Sequence, residues 1–148
     1  MFTFIFIVLL VFFIDYFSKL FIKKRFKLNK EYKISNKISI YHIKNYGLAF
    51  GFFKKFQKSI KIILTFFVFT LLIIFLFFIK DKSKIEKFAL SLILGGGLAN
   101  YYDRIKNKSV TDFIYIKYKN APIYNLADFF IFFGAIIIFF KNLKNIIK

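Results

Sequence analysis

The sequence predicts an all-α polytopic membrane protein with four transmembrane helices and a small β-containing extracytoplasmic element between helices 1 and 2. Of its 148 residues, 59% are hydrophobic and 24% are aromatic, and the mean hydropathy is +0.61. A soluble domain is less apolar, with about half of its residues hydrophobic. Several apolar runs also reach the roughly 20 residues that a helix needs to cross a bilayer. We expect one integral membrane domain over residues 1–148.

Four apolar runs are long enough to span the membrane, at about residues 2–22, 60–79, 88–105 and 124–140. The first could be a cleaved signal peptide, but it lacks a basic n-region and a small-residue cleavage site, so we interpret it as a retained span. The link after it contains a surface β element at about residues 28–56. Hydrophobic and polar residues alternate with period two in its first half, which is typical of short strands.

Composition excludes several kinds of site. There are 25 Lys and Arg residues against 7 Asp and Glu, but they lie mostly between apolar blocks, which favours contact with anionic lipid headgroups over nucleic-acid binding. The absence of Cys excludes thiolate catalysis, and a single His excludes a multi-histidine metal site. A Ser-His-Asp triad around His42 is formally possible, but its lysine-rich surroundings favour a structural or surface role. We expect no cofactor and no metal.

The unusual polar clusters share one side of the membrane if four spans are present. Parity places the end of span one, the link after it, the end of span three, the link 106–123 and the start of span four together. The opposite side holds only the N-terminus, the polar link 80–87 and the Lys-rich tail. Such one-sided convergence is typical of an active site near one leaflet.

Two blocks in the first half of the chain contribute polar groups to that side. Asp15 and Lys19 are spaced i, i+4, so they are neighbours on one helix face. They form either an ion pair that anchors the helix end or part of a functional site, since ionisable groups within spans are costly. Asn45, Gly47 and Ala49 belong to a loop block that is either an ordinary turn or a backbone edge that hydrogen-bonds an extended peptide.

The third span ends in a polar stripe. Gly96, Asn100 and Asp103 follow one another at i, i+4 and i+7, and Arg104 lies beside them. Three consecutive glycines in this span are more often a sign of close helix packing than of a site. Arg104, however, is suited to holding carboxylates by charge-assisted hydrogen bonds.

Two acidic residues lie close to the start of span four, one in the link before it and one in its opening turns. Asp112 follows Val110 and Thr111, and Asp128 follows Asn125 and Ala127 in the opening turns of the span. Asp128 could simply stabilise the helix N-terminus. Two carboxylates close together in a poorly solvated place share a proton, which is what an aspartic protease requires. We hypothesise that these two acids are catalytic.

Together these blocks resemble the lipoprotein signal peptidase (signal peptidase II) family, in the family's order from Asp15 to Asp128. One departure is Tyr124, where the family usually has phenylalanine. The resemblance implies that Asp112 and Asp128 are the catalytic pair. It implies site-supporting or substrate-binding roles for the remaining matched positions, which are Asp15, Lys19, Asn45, Gly47, Ala49, Gly96, Asn100, Asp103, Arg104, Asn125 and Ala127.

The resemblance also implies what the protein does and where. It implies cleavage of a diacylglyceryl-modified prolipoprotein before its lipid-bearing cysteine, inhibition by the cyclic peptide globomycin, and a monomer in contact with membrane lipids. The expected location is the bacterial cytoplasmic (inner) membrane, with both termini in the cytoplasm. Two other functions stay open on the residues alone: a phosphotransferase whose acids hold Mg²⁺, and a non-enzymatic transporter or assembly factor whose acids relay protons or pair helices.

Overall fold

The computed structural model describes residues 2–46, 70, 83–118 and 121–146. Within these ranges the helices are α1 (Phe2–Arg25), α2 (Lys84–Asn107) and α3 (Leu126–Ile146), and the strands are β1 (Glu31–Lys33), β2 (Ile38–Asn45), β3 (Val110–Ile116) and β4 (Ile123–Tyr124). The predicted second span, 60–79, lies outside the described residues except for Thr70, which is helical. The prediction of four spans is therefore tested only at the first, third and fourth.

Each of these three predicted spans is a helix. The first and third are longer than predicted, and the fourth starts two residues later. Two of the described helices, Phe2–Arg25 and Leu126–Lys144, are long and apolar enough to cross a membrane. In each, an 18-residue apolar stretch is mostly not buried within the protein, with buried shares of 28% and 11%. Phe6, Phe132 and Phe139 are each about 60% exposed. Apolar helices that expose large side chains are unlike soluble core helices and fit contact with lipid.

Glycines allow the three helices to approach closely. A methyl group placed on Gly95 would lie 2.7 Å from the Val8 carbonyl oxygen of α1. One placed on Gly134 of α3 would lie 2.6 Å from the Ala89 carbonyl oxygen of α2. The small-residue interpretation of the predicted third span is therefore confirmed at Gly95, because backbones that come this close leave no room for a Cβ. The contacts also show that α1 and α2 run parallel, whereas α3 runs antiparallel to α2.

An antiparallel four-stranded sheet, ordered β1-β2-β3-β4, covers the end of the helices. The predicted β element after the first span is confirmed by β1 and β2, but the sheet is larger than predicted, because β3 and β4 come from the link before α3. Residues 110–116 are rich in β-branched and aromatic residues, as strands are, but the first four are all buried. They therefore lack the period-two pattern that revealed β2. Tyr124, predicted to open a helix, belongs to β4.

His42 connects the sheet to α1. Its ring is 5% exposed, and Nδ1 lies 2.8 Å from the carbonyl oxygen of Phe26, just beyond the helix end. A β-bulge between Ile40 and Ile43 places it there. This contact favours a structural role for His42, which was expected to be structural or at the surface, and the residue is buried.

Candidate active site

Asp112 lies on β3, where the sheet meets the helices, and is 2% exposed. Asn45, at the end of β2, donates from Nδ2 to Asp112 Oδ2 at 2.9 Å. Asn125 donates from Nδ2 to the other oxygen, Oδ1, at 2.7 Å. Both carboxylate oxygens therefore accept an amide N–H, which fixes the orientation of the side chain.

Asp128 is the third residue of α3, and Asn125 is the N-cap of that helix. The Asn125 backbone N–H donates to Asp128 Oδ2, and the Asp128 backbone N–H donates to Asn125 Oδ1, both at 3.0 Å. This reciprocal arrangement is a capping box built from Asn and Asp. Asp128 therefore stabilises the N-terminus of α3, which is the simpler of the two roles predicted for it. Its other oxygen, Oδ1, faces Asn100.

Two amide side chains join the acids. Asn100 Nδ2 donates to Asp128 Oδ1 at 2.8 Å, and Asn100 Oδ1 accepts from Asn125 Nδ2 at 3.1 Å. Since Asn125 Nδ2 also donates to Asp112, a continuous chain of hydrogen bonds runs from one acid to the other. The two carboxylates are close enough for their charges to repel.

Asp15 and Lys19 form a fully buried ion pair behind this chain, with 2.6 Å between Lys19 Nζ and Asp15 Oδ2. Lys19 Nζ also donates to Asn100 Oδ1 at 2.8 Å. Asp15 Oδ1 accepts from the backbone N–H of Ala127 at 2.8 Å. The pair therefore anchors the start of α3 and orients Asn100. The predicted proximity of the two residues is confirmed, and a role in function stays a prediction.

Asp103 holds the sheet against α2, and Arg104 lies beside it on the same helix. Asp103 Oδ2 accepts the backbone N–H of Thr111 at 2.8 Å, next to Asp112, and Oδ1 accepts from Lys23 Nζ at 3.1 Å. Arg104 Nη1 donates to the backbone oxygen of Asn100 at 3.3 Å. Its charge interacts with those of Asp112, Asp128 and Asp103. Arg104 thus offsets part of the negative charge of the site.

Gly96 sets the distance between α2 and α3 beside the acids. A methyl group there would lie 2.6 Å from the Ala127 carbonyl oxygen and 2.9 Å from Ile131 Cγ1. No side chain larger than hydrogen fits without moving α3. Because Ala127 precedes Asp128, this contact fixes the depth of that acid.

Burial raises the pKa of Asp112 to about 6, against hydrogen bonds from Asn45 and Asn125 that lower it. The negative charge of Asp128 raises it further. Desolvation outweighs the donors because the strand places this carboxyl out of contact with water. The site can therefore keep a proton up to about pH 6, well above the range of an ordinary carboxyl.

An apolar groove of about 580 Å³ leads away from Asp128 along α3. Ile116, Tyr124, Phe129 and Phe132 form part of its wall. Asp128 thus lies at the end of an apolar groove, and a few polar groups beside an apolar wall are typical of ligand-binding sites.

The structure brings together nine of the eleven supporting residues named from the sequence. The other two, Gly47 and Ala49, lie outside the described residues. Sequence reasoning missed Lys23 and Thr111. Lys23 could have been found, because it follows Lys19 by four residues on the same helix face. Thr111 acts through its backbone N–H, for which a sequence carries no signal.

Residues 7–144 match the family described as signal peptidase (SPase) II. The lipoprotein signal peptidase of Wigglesworthia glossinidia brevipalpis is 34% identical over 140 residues, covering 92% of this chain and 91% of that protein. The lipoprotein signal peptidase of Clostridium tetani is 35% identical over 145 residues, covering 95% and 92%. A solved structure described as a bacterial membrane enzyme superposes with a TM-score of 0.84 at 28% identity, covering 97% of this chain and 88% of its own.

Proposed function

The chain belongs to the signal peptidase II family, whose members are aspartic-type proteases, and from this premise we propose that Asp112 and Asp128 are its catalytic acids. The proposed reaction removes the signal peptide of a diacylglyceryl-modified prolipoprotein by cleaving before the lipidated cysteine. The observation that carries the proposal is the hydrogen-bond chain that joins the buried carboxylate of Asp112 to the half-buried carboxylate of Asp128, which lies at the end of an apolar groove.

The proposed mechanism needs one proton shared by the two acids. The ionised member takes a proton from a water molecule, which attacks the carbonyl carbon of the scissile peptide bond. The protonated member donates a hydrogen bond to the carbonyl oxygen and so stabilises the charge that develops there. The amine then leaves with a proton returned by the pair. The raised pKa of Asp112 supports this scheme, because it extends to about pH 6 the range in which the pair holds one proton.

The surrounding residues are proposed to keep this pair in place. Asn45, Asn100 and Asn125 donate amide N–H groups that fix the carboxylate planes. Lys19 holds Asn100, and Asp15 holds the start of α3 through Ala127. Preorganisation of this kind matters because a displacement of about 1 Å can cost on the order of 100-fold in rate.

The test is a gel-shift cleavage assay with purified protein and a lipidated precursor. Asp112→Asn and Asp128→Asn keep the size and polarity of the side chain but remove the shared proton, so turnover should fall by several orders of magnitude. Glu31→Gln, the same change at a surface acid paired with Lys117, should leave turnover unchanged. Near-normal cleavage by either folded Asn variant would refute the assignment.

Binding of globomycin provides a control for folding in the same assay. We propose that this cyclic peptide occupies the groove beside the acids, so it should inhibit the wild-type protein and still bind the two Asn variants. A metal-dependent phosphotransferase finds no support: in residues 2–46, 83–118 and 121–146 no three acids or histidines lie in a group that could hold a metal.

The protein is a bacterial membrane protein, and we propose that it is a multi-pass monomer in the cytoplasmic membrane with both termini in the cytoplasm. Cysteines introduced by Lys84→Cys and Lys108→Cys lie at exposed positions at opposite ends of α2. Only Lys108→Cys should react with an impermeant thiol reagent on intact cells. Most basic residues lie in the links placed outside, and the positive-inside rule predicts the opposite labelling.

A further inference from the structure

A second site lies between α1 and α2, separate from the apolar groove along α3. Its polar part is a cavity of about 100 Å³ near the C-terminal ends of both helices. Its apolar part is a groove of about 390 Å³ between the same helices, nearer the middle of α1. Tyr102 lines both. We propose that this composite site binds one anionic phospholipid, with its phosphate in the cavity and an acyl chain in the groove.

Charge favours an anion in the cavity. Its described walls carry three ammonium groups, from Lys19, Lys23 and Lys106, and two carboxylates, from Asp15 and Asp103. Lys19 lies between the two carboxylates, at 2.6 and 3.8 Å, and Lys23 bonds Asp103 at 3.1 Å. One positive charge is left over, and a phosphodiester carries the single negative charge that balances it.

Lys106 is the cation best placed to meet that phosphate. Its Nζ lies 5.5 Å from the ring centre of Tyr102 and 6.0 Å from that of Tyr16, and it donates to the Tyr102 hydroxyl at 3.2 Å. The two tyrosines hold the ammonium beside the cavity that Lys106 lines, without neutralising it. Tyrosines and lysines together at a helix end are typical of the depth at which lipid headgroups lie.

The apolar groove is the reason why we propose a lipid as the ligand and not a free phosphate ion. Leu9, Phe13 and Ile105 line it and are 49%, 46% and 51% exposed. Such a surface is costly in water and is covered by a hydrocarbon chain at no cost in hydrogen bonds. Because Tyr102 lines both the groove and the cavity, one molecule can fill both.

The experiment measures lipid binding to the purified wild-type protein by native mass spectrometry and by thermal unfolding in detergent. Dioleoyl phosphatidylglycerol should bind and raise the unfolding temperature more than dioleoyl phosphatidylcholine does. Lys106→Gln should weaken the phosphatidylglycerol affinity about fivefold, the effect of one basic residue near an anionic surface. Lys24→Gln makes the same charge change at an exposed residue that does not line the cavity and should have little effect.

Three results would overturn the proposal. The first is equal binding of the two lipids, and the second is equal weakening by Lys106→Gln and Lys24→Gln, which would show only general attraction to a protein of net charge +18. The third is stabilisation by inorganic phosphate or by dihexanoyl phosphatidylglycerol to the same extent as by the dioleoyl lipid, since the groove would then contribute nothing. None of these measurements involves cleavage, so the outcome is independent of the catalytic assignment.

Discussion

The contact between Gly96 and Ala127 makes one substitution especially informative. In Gly96→Ala, the new Cβ would lie 2.6 Å from the Ala127 carbonyl oxygen, about 0.8 Å inside the 3.4 Å at which ordinary contact begins. The obstructing atom is backbone, so α3 itself has to move. Asp128 is the next residue and moves with it. A shift approaching 1 Å is expected to reduce cleavage on the order of 100-fold.

We expect Gly96→Ala to affect stability less than it affects cleavage. Overpacking a close contact costs roughly 1–3 kcal/mol, whereas replacing Gly by Ala within a helix gains about 0.8–1 kcal/mol. The variant should therefore fold, with a net loss of at most about 2 kcal/mol. Cleavage should fall far more than stability, because the displaced residue carries the proposed chemistry.

Gly97→Ala is the matched control. It makes the same change one residue along the same helix, where a Cβ would meet nothing within 4 Å. It should preserve cleavage and raise the thermal stability slightly. The assay is turnover of a lipidated precursor, beside thermal unfolding in detergent. Equal activity of the two folded variants would refute the argument that Gly96 sets the position of Asp128.

Other predictions concern the ionisable groups. Asn45→Ala removes a donor that lowers the pKa of Asp112, so the alkaline limb of the pH–rate profile should move to higher pH; a shift to lower pH would contradict this. The pKa of Asp112 in the folded protein, about 6, exceeds its ordinary value of 3.8. Its contribution to the free energy of unfolding is therefore fully present below pH 3.8 and is lost as the pH rises through 6, by up to about 3 kcal/mol. The unfolding temperature of Asp112→Asn should not show this loss between pH 4 and 7. An identical pH dependence of the unfolding temperature in the wild-type protein and the variant would refute the prediction. Lys19→Met leaves Asp15 buried without its cation and should destabilise the protein by about 3–5 kcal/mol, whereas Lys24→Met at an exposed position should cost little; equal unfolding temperatures would count against this role.

The sequence alone was enough for the elements whose signal is local. Long apolar runs located α1, α2 and α3 to within a few residues at most ends, because helix formation in a membrane depends on length and hydropathy. The i, i+4 spacing of Asp15 and Lys19 predicted their proximity correctly, since the helix itself determines it. The family resemblance supported the hypothesis that Asp112 and Asp128 are the catalytic pair, which spacing alone could not distinguish from the other acids.

Tertiary structure decided how these residues meet. The strand that carries Asp112 is buried at four successive positions, so it shows no alternation, and its place in the sheet depends on pairing with β2, more than 60 residues away in the chain. The hydrogen bonds from Asn45 to Asp112 and from Lys19 to Asn100 join residues 67 and 81 positions apart. Contacts at such separations depend on how helices and sheet pack together. That is why the sequence could name the polar residues of the site but not the path of hydrogen bonds that joins them.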